Sequence, residues 1–350
     1  MNAPFRLYGA DTSPYAAKLR AYLKFKGLDF TWLNRSQARQ EEFARYAKQP
    51  LSPVLVDGGD NVMQGTTPTI EALERLYPEP SIVPGDPALG FIAALLEDYA
   101  DEWLSKAMYH YRWTYPEDQE SAARRIADML YEGAEAPAGV VDSIKTRMSA
   151  RLHHVGSSPE AAPLIEASFA QLVEQLEAML ARRPYLLGAR PSIADFGLAA
   201  QLGQLLSDPT PGALIKSRAP HVAAWVKRME APAVEGEFAS LESLADELAG
   251  LLQLEMAGAH LAWMATNAQA VTDGAPGVSV AIGGRTFTQK PQRLAAKAFD
   301  ELRRKRTAVA DDTLAALLGR SGCDAFLLLV GDDDADAADD DDESEGEAEA

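Results

Sequence analysis

Two adjacent hydroxyl side chains, those of Thr12 and Ser13, stand where a short apolar segment gives way to a proline-initiated helix. Ser13 directly precedes Pro14, and serine at the N-cap with proline at the first helical position is a preferred helix start. The same position lies beside the first free N–H groups of the helix and at the positive end of its dipole, where an anionic group is favoured. A hydroxyl here can therefore cap the backbone, donate a hydrogen bond to an anionic atom, or do both.

The segments around this position predict a small α/β domain over residues 1–80. In chain order they read as strand, helix, strand, helix, strand, strand and helix, which fits a mixed sheet. The first helix is predicted over residues 14–26, and it ends at Gly27, a natural C′ residue. The third helix is predicted to begin with Thr67 as its cap and Pro68 as its first residue.

A proline-rich linker over residues 81–90 follows, because prolines cannot continue a helix. Residues 91–232 then carry only helical signals. Ser192 and Asp195 have the spacing of a capping box, with Asp in place of the preferred Glu or Gln. This part predicts an all-α second domain.

Residues 235–331 predict a small α+β extension of unknown role. They read as a long helix over about 241–270, a hairpin around Gly283 and Gly284, and two shorter helices. The extension could be a helical cap that packs on the second domain, or a module that binds a partner. The acidic tail, residues 332–350, has almost no apolar side chains beyond alanine and is predicted to be disordered.

Composition limits the class of function. The tail holds 12 acidic residues, and removing them from the net charge of −19 leaves −7. Without a basic stripe, nucleic-acid binding is disfavoured. The single cysteine, Cys323, permits no intrachain disulfide and no thiolate metal site, and no other metal motif is evident. The N-terminus does not read as a signal peptide, and the apolar run AFLLLV is too short to span a bilayer. We expect a cytoplasmic protein that binds neither nucleic acid nor membrane.

Four stretches together resemble the glutathione S-transferase superfamily, over about residues 4–231. SPYAAKLRAYLKFKGL is similar to the first helix of its serine- and cysteine-first classes, the tau and omega types. PLSPVL resembles the stretch that contains the family's cis-proline. VMQGTTPTIEALERLYPEPSIVP resembles the fourth strand, third helix and linker, and RPYLLGARPSIADFGLAAQL resembles the N-capped sixth helix of the second domain. The resemblance implies a thioredoxin-like N-terminal domain, an all-α C-terminal domain, and glutathione as co-substrate.

The resemblance assigns the catalytic role to Ser13, with Thr12 as the alternative hydroxyl. Glutathione attacks an electrophile as its thiolate, and a hydroxyl that donates a hydrogen bond to sulfur favours that form. Other classes of the family use a tyrosine at the end of the first strand. Tyr8 occupies that place here, but the Ser-Pro spacing points away from it.

The rest of the implied glutathione site includes one departure from the family. The resemblance makes Pro53 a cis-proline, so that the backbone of Ser52 pairs with the cysteinyl part of the tripeptide; the alternative is an ordinary edge-strand proline. Thr66 would bind the glutamyl carboxylate near a helix N-terminus. The family's acidic residue is replaced by Gly65, so either Gln64 reaches the glutamyl amino group or binding is weakened.

The helix in the first part of the second domain is rich in aromatic residues, and Tyr109 and Trp113 are candidates for lining a pocket for a small hydrophobic electrophile. At helical spacing such residues are more often part of the core. The same helix reaches a partner subunit in some family members, so a homodimer is expected by analogy. Two functions remain open: a glutathione transferase that acts through Ser13, and a non-catalytic adaptor whose extension contacts partners.

Overall fold

The N-terminal part of the protein is built on a four-stranded mixed sheet. A computed structural model describes residues 4–328. The strand order is β2-β1-β3-β4, with β1 parallel to β2 and the other pairs antiparallel. The strands are β1 (Phe5–Gly9), β2 (Phe30–Asn34), β3 (Val54–Val56) and β4 (Val62–Gln64). Together with its helices this sheet forms the thioredoxin-like domain that the sequence predicts.

Three helices accompany the sheet: α1 (Pro14–Phe25), α2 (Gln40–Tyr46) and α3 (Thr66–Leu76). As predicted, α1 is followed by Gly27, whose φ of 63° suits a residue without a side chain. The predicted start of α3 is wrong by two residues. Gly65, with φ 90°, turns the chain out of β4 and occupies the N-cap position, so Thr66 rather than Pro68 is the first helical residue.

The second domain contains only helices. Its first helix, α4, runs through a π-helical segment, Ala100–Leu104, directly into α5. The helices are α4 (Pro87–Tyr99), α5 (Ser105–Thr114), α6 (Pro116–Leu130), α7 (Val140–Ser149), α8 (Ala162–Leu180), α9 (Ile193–Ser207), α10 (Pro209–Arg218) and α11 (Pro220–Arg228). The predicted capping box of Ser192 and Asp195 is present at the start of α9.

The extension is a long helix, a hairpin and three further helices, one more than the two that the sequence predicts. The long helix comprises α12 (Leu241–Leu251), a π-helical segment (Leu252–Leu261) and α13 (Ala262–Thr272). The hairpin strands are β5 (Val278–Ile282) and β6 (Arg285–Gln289), followed by α14 (Arg293–Thr307), α15 (Asp312–Arg320) and α16 (Asp324–Leu327). Gly283 and Gly284 form the predicted turn, with φ values of 55° and 75°.

The extension packs on the rest of the chain as a cap. The ring of Phe287 fills the space beside Gly156 so closely that a Cβ on that glycine would lie 2.2 Å from it. Lys305 of α14 forms a 2.6 Å ion pair with Glu71 of α3. Cys323 is fully buried, in agreement with the expectation that it is a core residue. One continuous hydrophobic core therefore joins all three parts.

The acidic tail lies outside the described residues. Within residues 4–328, no helix has the length and apolar character needed to cross a membrane.

Candidate functional site

The segments that were predicted to form the site converge at one edge of the N-terminal sheet. Tyr8 pairs with Val54 in the antiparallel β1–β3 ladder, and Val54 pairs with Gln64 in the β3–β4 ladder. The end of β1, the start of β3 and the end of β4 therefore lie at the same edge. The turn before α1, the peptide before β3 and the start of α3 all leave the sheet there.

Ser13 caps α1 and keeps its hydroxyl proton available. Its Oγ accepts a 3.3 Å hydrogen bond from the N–H of Ala16, and its backbone is extended, as an N-cap requires. A hydroxyl has one donor hydrogen and two acceptor lone pairs, so this bond leaves the hydrogen unused. Within residues 4–328 that hydrogen has no acceptor. Capping and donation to an external atom are therefore compatible at this residue.

The side chain of Tyr8 contacts α2, in a different part of the domain. Its ring is fully buried beside Phe43, and its hydroxyl donates a 2.7 Å hydrogen bond to Glu42. Burial, assisted by that carboxylate, raises the pKa of Tyr8 to about 12. By contrast, the half-buried hydroxyl of Thr12 forms no hydrogen bond with the described residues, so Thr12 remains the alternative donor.

The Ser52–Pro53 peptide bond is cis, as the sequence resemblance implied. Ser52 is 7 % exposed and lies just before the β3 ladder. Within residues 4–328 its N–H and C=O form no turn, loop or side-chain hydrogen bond. These two groups can pair with a peptide-like ligand in the manner of an added strand.

The start of α3 offers donors but no carboxylate. Gly65 provides no side-chain cap, and no acceptor among residues 4–328 binds the N–H groups of Thr66 and Thr67, the first two of α3. The hydroxyl of Thr66, a largely buried residue, forms no hydrogen bond with the described part of the chain. This arrangement suits an anion.

The amide of Gln64 is fully occupied within the protein. Its Oε1 accepts 3.1 Å hydrogen bonds from the N–H groups of both Lys48 and Gln49. Its Nε2 donates to the carbonyl oxygens of Gln49 and Leu51 at 2.9 and 2.7 Å. These four bonds use the whole hydrogen-bonding capacity of the amide. Contact with a ligand would require breaking one of them, and the observed role of Gln64 is to hold the loop that precedes Ser52.

A buried charge cluster joins α1, α3 and α4 next to the site. Lys18 contacts Glu97, the carboxylate of Asp101 at 2.7 Å and the hydroxyl of Thr67 at 3.2 Å. Burial favours the neutral amine, but the two carboxylates outweigh it and raise the pKa of Lys18 above its usual value. The cluster fixes the first turn of α3 against α4.

Tyr109 and Trp113 lie in the core of the second domain. The ring of Trp113 is 1 % exposed and packs with side chains of α6 and α7. The hydroxyl of Tyr109 donates a 2.9 Å hydrogen bond to the carbonyl oxygen of Met148, and burial raises the pKa of Tyr109 to about 12. A ligand would reach Trp113 only if this cluster opened.

Three functional candidates were missed in the sequence: Arg112, Gln204 and Asp208. Arg112 Nη1 donates a 2.8 Å hydrogen bond to the carbonyl oxygen of Thr12, and Gln204 Nε2 donates one of 3.0 Å to that of Asp11. Asp208 accepts from Arg112 Nε at 2.8 Å. The sequence signal that could have identified them was Arg112, the one arginine among the aromatic residues of α5.

Comparisons with known proteins agree with this architecture. The family model described as "Glutathione S-transferase, N-terminal domain" matches residues 7–81, and that for the C-terminal domain matches residues 159–228. Glutathione S-transferase 3 of Zea mays is 26 % identical over 249 residues, which is 68 % of this chain and 95 % of the maize protein.

Two solved structures are also similar. A beta-etherase, LigF, from Sphingobium sp. strain SYK-6 is 22 % identical with a TM-score of 0.49, covering 65 % of this chain and 96 % of its own. The tau class glutathione S-transferase MiGSTU from mango, Mangifera indica L., is 21 % identical with a TM-score of 0.42, covering 69 % and 96 %. The matched residues of the two family models end before the C-terminal extension.

Proposed function

Because the chain belongs to the glutathione S-transferase superfamily, we propose that it binds glutathione and stabilises the tripeptide's thiolate through Ser13. The observation that carries this proposal is the position of the Ser13 hydroxyl. It lies at the N-terminus of α1, its oxygen accepts from Ala16, and its hydrogen is free to donate.

The proposed chemistry needs few groups. A hydrogen bond from the Ser13 hydroxyl to sulfur, together with the positive end of the α1 dipole, favours the deprotonated thiol. The thiolate then forms a bond to an electrophilic carbon of the second substrate, and any leaving group departs with its electron pair. Thr12 is the alternative donor, because its hydroxyl is also free.

The rest of glutathione would bind at the same edge of the sheet. The free backbone groups of Ser52, before cis-Pro53, support pairing with the cysteinyl part. The hydroxyl of Thr66 and the uncapped start of α3 support binding of the glutamyl carboxylate. Gly65 supplies no partner for the glutamyl amino group. Gln64 contributes indirectly, through the loop that it holds.

The second substrate is proposed to be a small hydrophobic electrophile, in a detoxification reaction in the cytoplasm. A homodimer is also proposed. Helix α14 packs against α4 and contacts α3 through Lys305. The dimer interface would therefore use a surface that α14 leaves open.

The test combines retention on glutathione-agarose with turnover of a generic aryl halide. We expect the wild type to be retained and active, and Ser13→Ala to be retained with a large loss of turnover. Thr12→Val is the matched control and should keep most of the activity. A wild type that is not retained would contradict the proposal, whereas retention without turnover would indicate the non-catalytic adaptor.

A further inference from the structure

We infer that Arg112 is a positioning residue for Ser13: reaching from the second domain, it fixes the peptide unit that presents the catalytic hydroxyl. This inference rests on the function proposed above. It concerns a residue that makes no contact with sulfur in the proposed reaction and acts only through the backbone before Ser13.

The hydroxyl is carried by a tight turn of four residues. The N–H of Ser13 donates a 3.0 Å hydrogen bond to the carbonyl oxygen of Ala10, which closes the turn. The carbonyl groups of the two central residues, Asp11 and Thr12, are both bonded to the second domain, to Gln204 at 3.0 Å and Arg112 at 2.8 Å. Within residues 4–328 neither carbonyl oxygen accepts a hydrogen bond from the thioredoxin-like domain.

The peptide unit between Thr12 and Ser13 is held at both ends. Its C=O accepts from Arg112, and its N–H donates to Ala10. Because a peptide unit is planar, fixing both groups fixes the plane from which the Ser13 side chain projects. Ser13 is then also tied to α1, since its carbonyl oxygen accepts from Ala17 at 3.1 Å. The orientation of Oγ is thus set by Arg112 on one side and by α1 on the other.

Arg112 can serve as a fixed anchor because its guanidinium group is itself immobilised. The residue is 3 % exposed. Its Nε donates to Asp208 at 2.8 Å, and its Nη2 donates to Gln204 Oε1 at 2.8 Å. Asp208 also pairs with Arg125, whose hydrogen bonds within residues 4–328 go to Ser207 and Asp208 and not to the turn. Charge-assisted bonds of this kind are shorter and stronger than neutral ones, and a planar fork fixes their geometry.

The decisive comparison is Arg112→Lys against Arg125→Lys. Both variants keep the positive charge and weaken a contact with Asp208, but only the first removes the fork that reaches Thr12. Lysine cannot span Thr12 and Asp208 with the same geometry. We expect Arg112→Lys to lower kcat about tenfold or more, because displacements of about 1 Å can cost up to a hundredfold. The pKa of bound glutathione, followed by thiolate absorbance, should rise by about one unit. Arg125→Lys should change neither.

A second readout needs no glutathione. Hydrogen exchange of the backbone amides of Ser13, Ala16 and Ala17 should accelerate in Arg112→Lys and stay at the wild-type rate in Arg125→Lys. If Arg112→Lys does not fold, Gln204→Met removes the bond to Asp11 and one partner of Arg112, and it should produce the same changes more weakly. Wild-type thiolate absorbance with no difference between the two lysine variants would overturn this inference alone. If the wild type shows no thiolate absorbance, the proposed function is overturned, and so is the catalytic part of this inference. In that case hydrogen exchange still tests the anchoring part, which is overturned if Arg112→Lys exchanges at the wild-type rate.

Discussion

The hydroxyl of Tyr99 in α4 donates a 2.8 Å hydrogen bond to Oε2 of Glu255, a residue of the extension. Ser168 of α8 donates to the same oxygen at 2.5 Å. Glu255 is 1 % exposed, so the extension places a carboxyl group inside the second domain. Burial raises the pKa of Glu255 to about 7, although the two hydrogen bonds oppose the shift.

This burial predicts that docking of the extension weakens as pH rises. Between pH 4.5 and 7 the folded protein holds a proton on Glu255 that the unfolded chain has lost, so the free energy of unfolding falls as pH increases. The full effect is at most about 3 kcal/mol. Glu255→Gln, which cannot ionise, should be more stable than wild type at pH 8 and similar to it at pH 5. Urea unfolding at the two pH values measures the difference.

Glu242→Gln is the matched control, because Glu242 is exposed in the same long helix. It should change the unfolding midpoint little at either pH. If Glu255→Gln is no more stable than wild type at pH 8, the carboxyl group is not held in its neutral form by burial.

Local signals in the sequence predicted the local structure well. Ser13 before Pro14 marked the start of α1, and the Gly283–Gly284 pair marked the hairpin. Each depends on residues within one turn, where a cap or a positive φ restricts the choice of amino acid. The start of α3 was misplaced because the φ of Gly65, which decides it, cannot be read from the Thr-Thr-Pro stretch that follows.

Contacts between distant residues could not be predicted in the same way. Arg112 and Thr12 are 100 positions apart, and their hydrogen bond exists only because α5 packs over the turn before α1. Similarly, Gln64 was assigned to a ligand because of its neighbours in sequence, whereas the fold places its amide among the backbone groups of the loop before Ser52. Periodicity shows which face of a helix is apolar; it does not show which partner covers that face.

Ser13→Ala and Ser13→Gly should separate the capping role from the role at sulfur. Alanine at an N-cap costs about 1 kcal/mol, whereas glycine costs a few tenths. We therefore expect Ser13→Ala to lower the urea midpoint more than Ser13→Gly, while both lose turnover of the aryl halide to the same extent. If Ser13→Gly keeps wild-type turnover, Ser13 serves only as a cap.

Gln64→Met should loosen the loop before Ser52. The substitution removes four hydrogen bonds to the backbone of residues 48–51, so the amides of Lys48 and Gln49 should exchange faster with deuterium. Retention on glutathione-agarose should decrease, because the backbone of Ser52 loses its support. Gln49→Met is the control: its exposed side chain is replaced in the same way, but the bonds of its backbone remain. Equal retention of the two variants would contradict an indirect role for Gln64.

Gly65→Ala should destabilise the protein because of the backbone conformation at residue 65, and not because the new methyl group lacks room. A Cβ at this position would lie 3.6 Å from Pro68, an ordinary contact, so there is room for the methyl group. However, the φ of 90° and ψ of 119° are rarely adopted by residues with a side chain, and such strain costs about 1–3 kcal/mol. Gly85→Ala is the control, since Gly85 is unobstructed and lies outside the positive-φ range. Urea unfolding should show a lower midpoint for Gly65→Ala only. The same penalty is expected for Gly65→Asp, so an acidic residue could be introduced here only at a cost in stability. A Gly65→Asp variant as stable as wild type would show that the turn can relax.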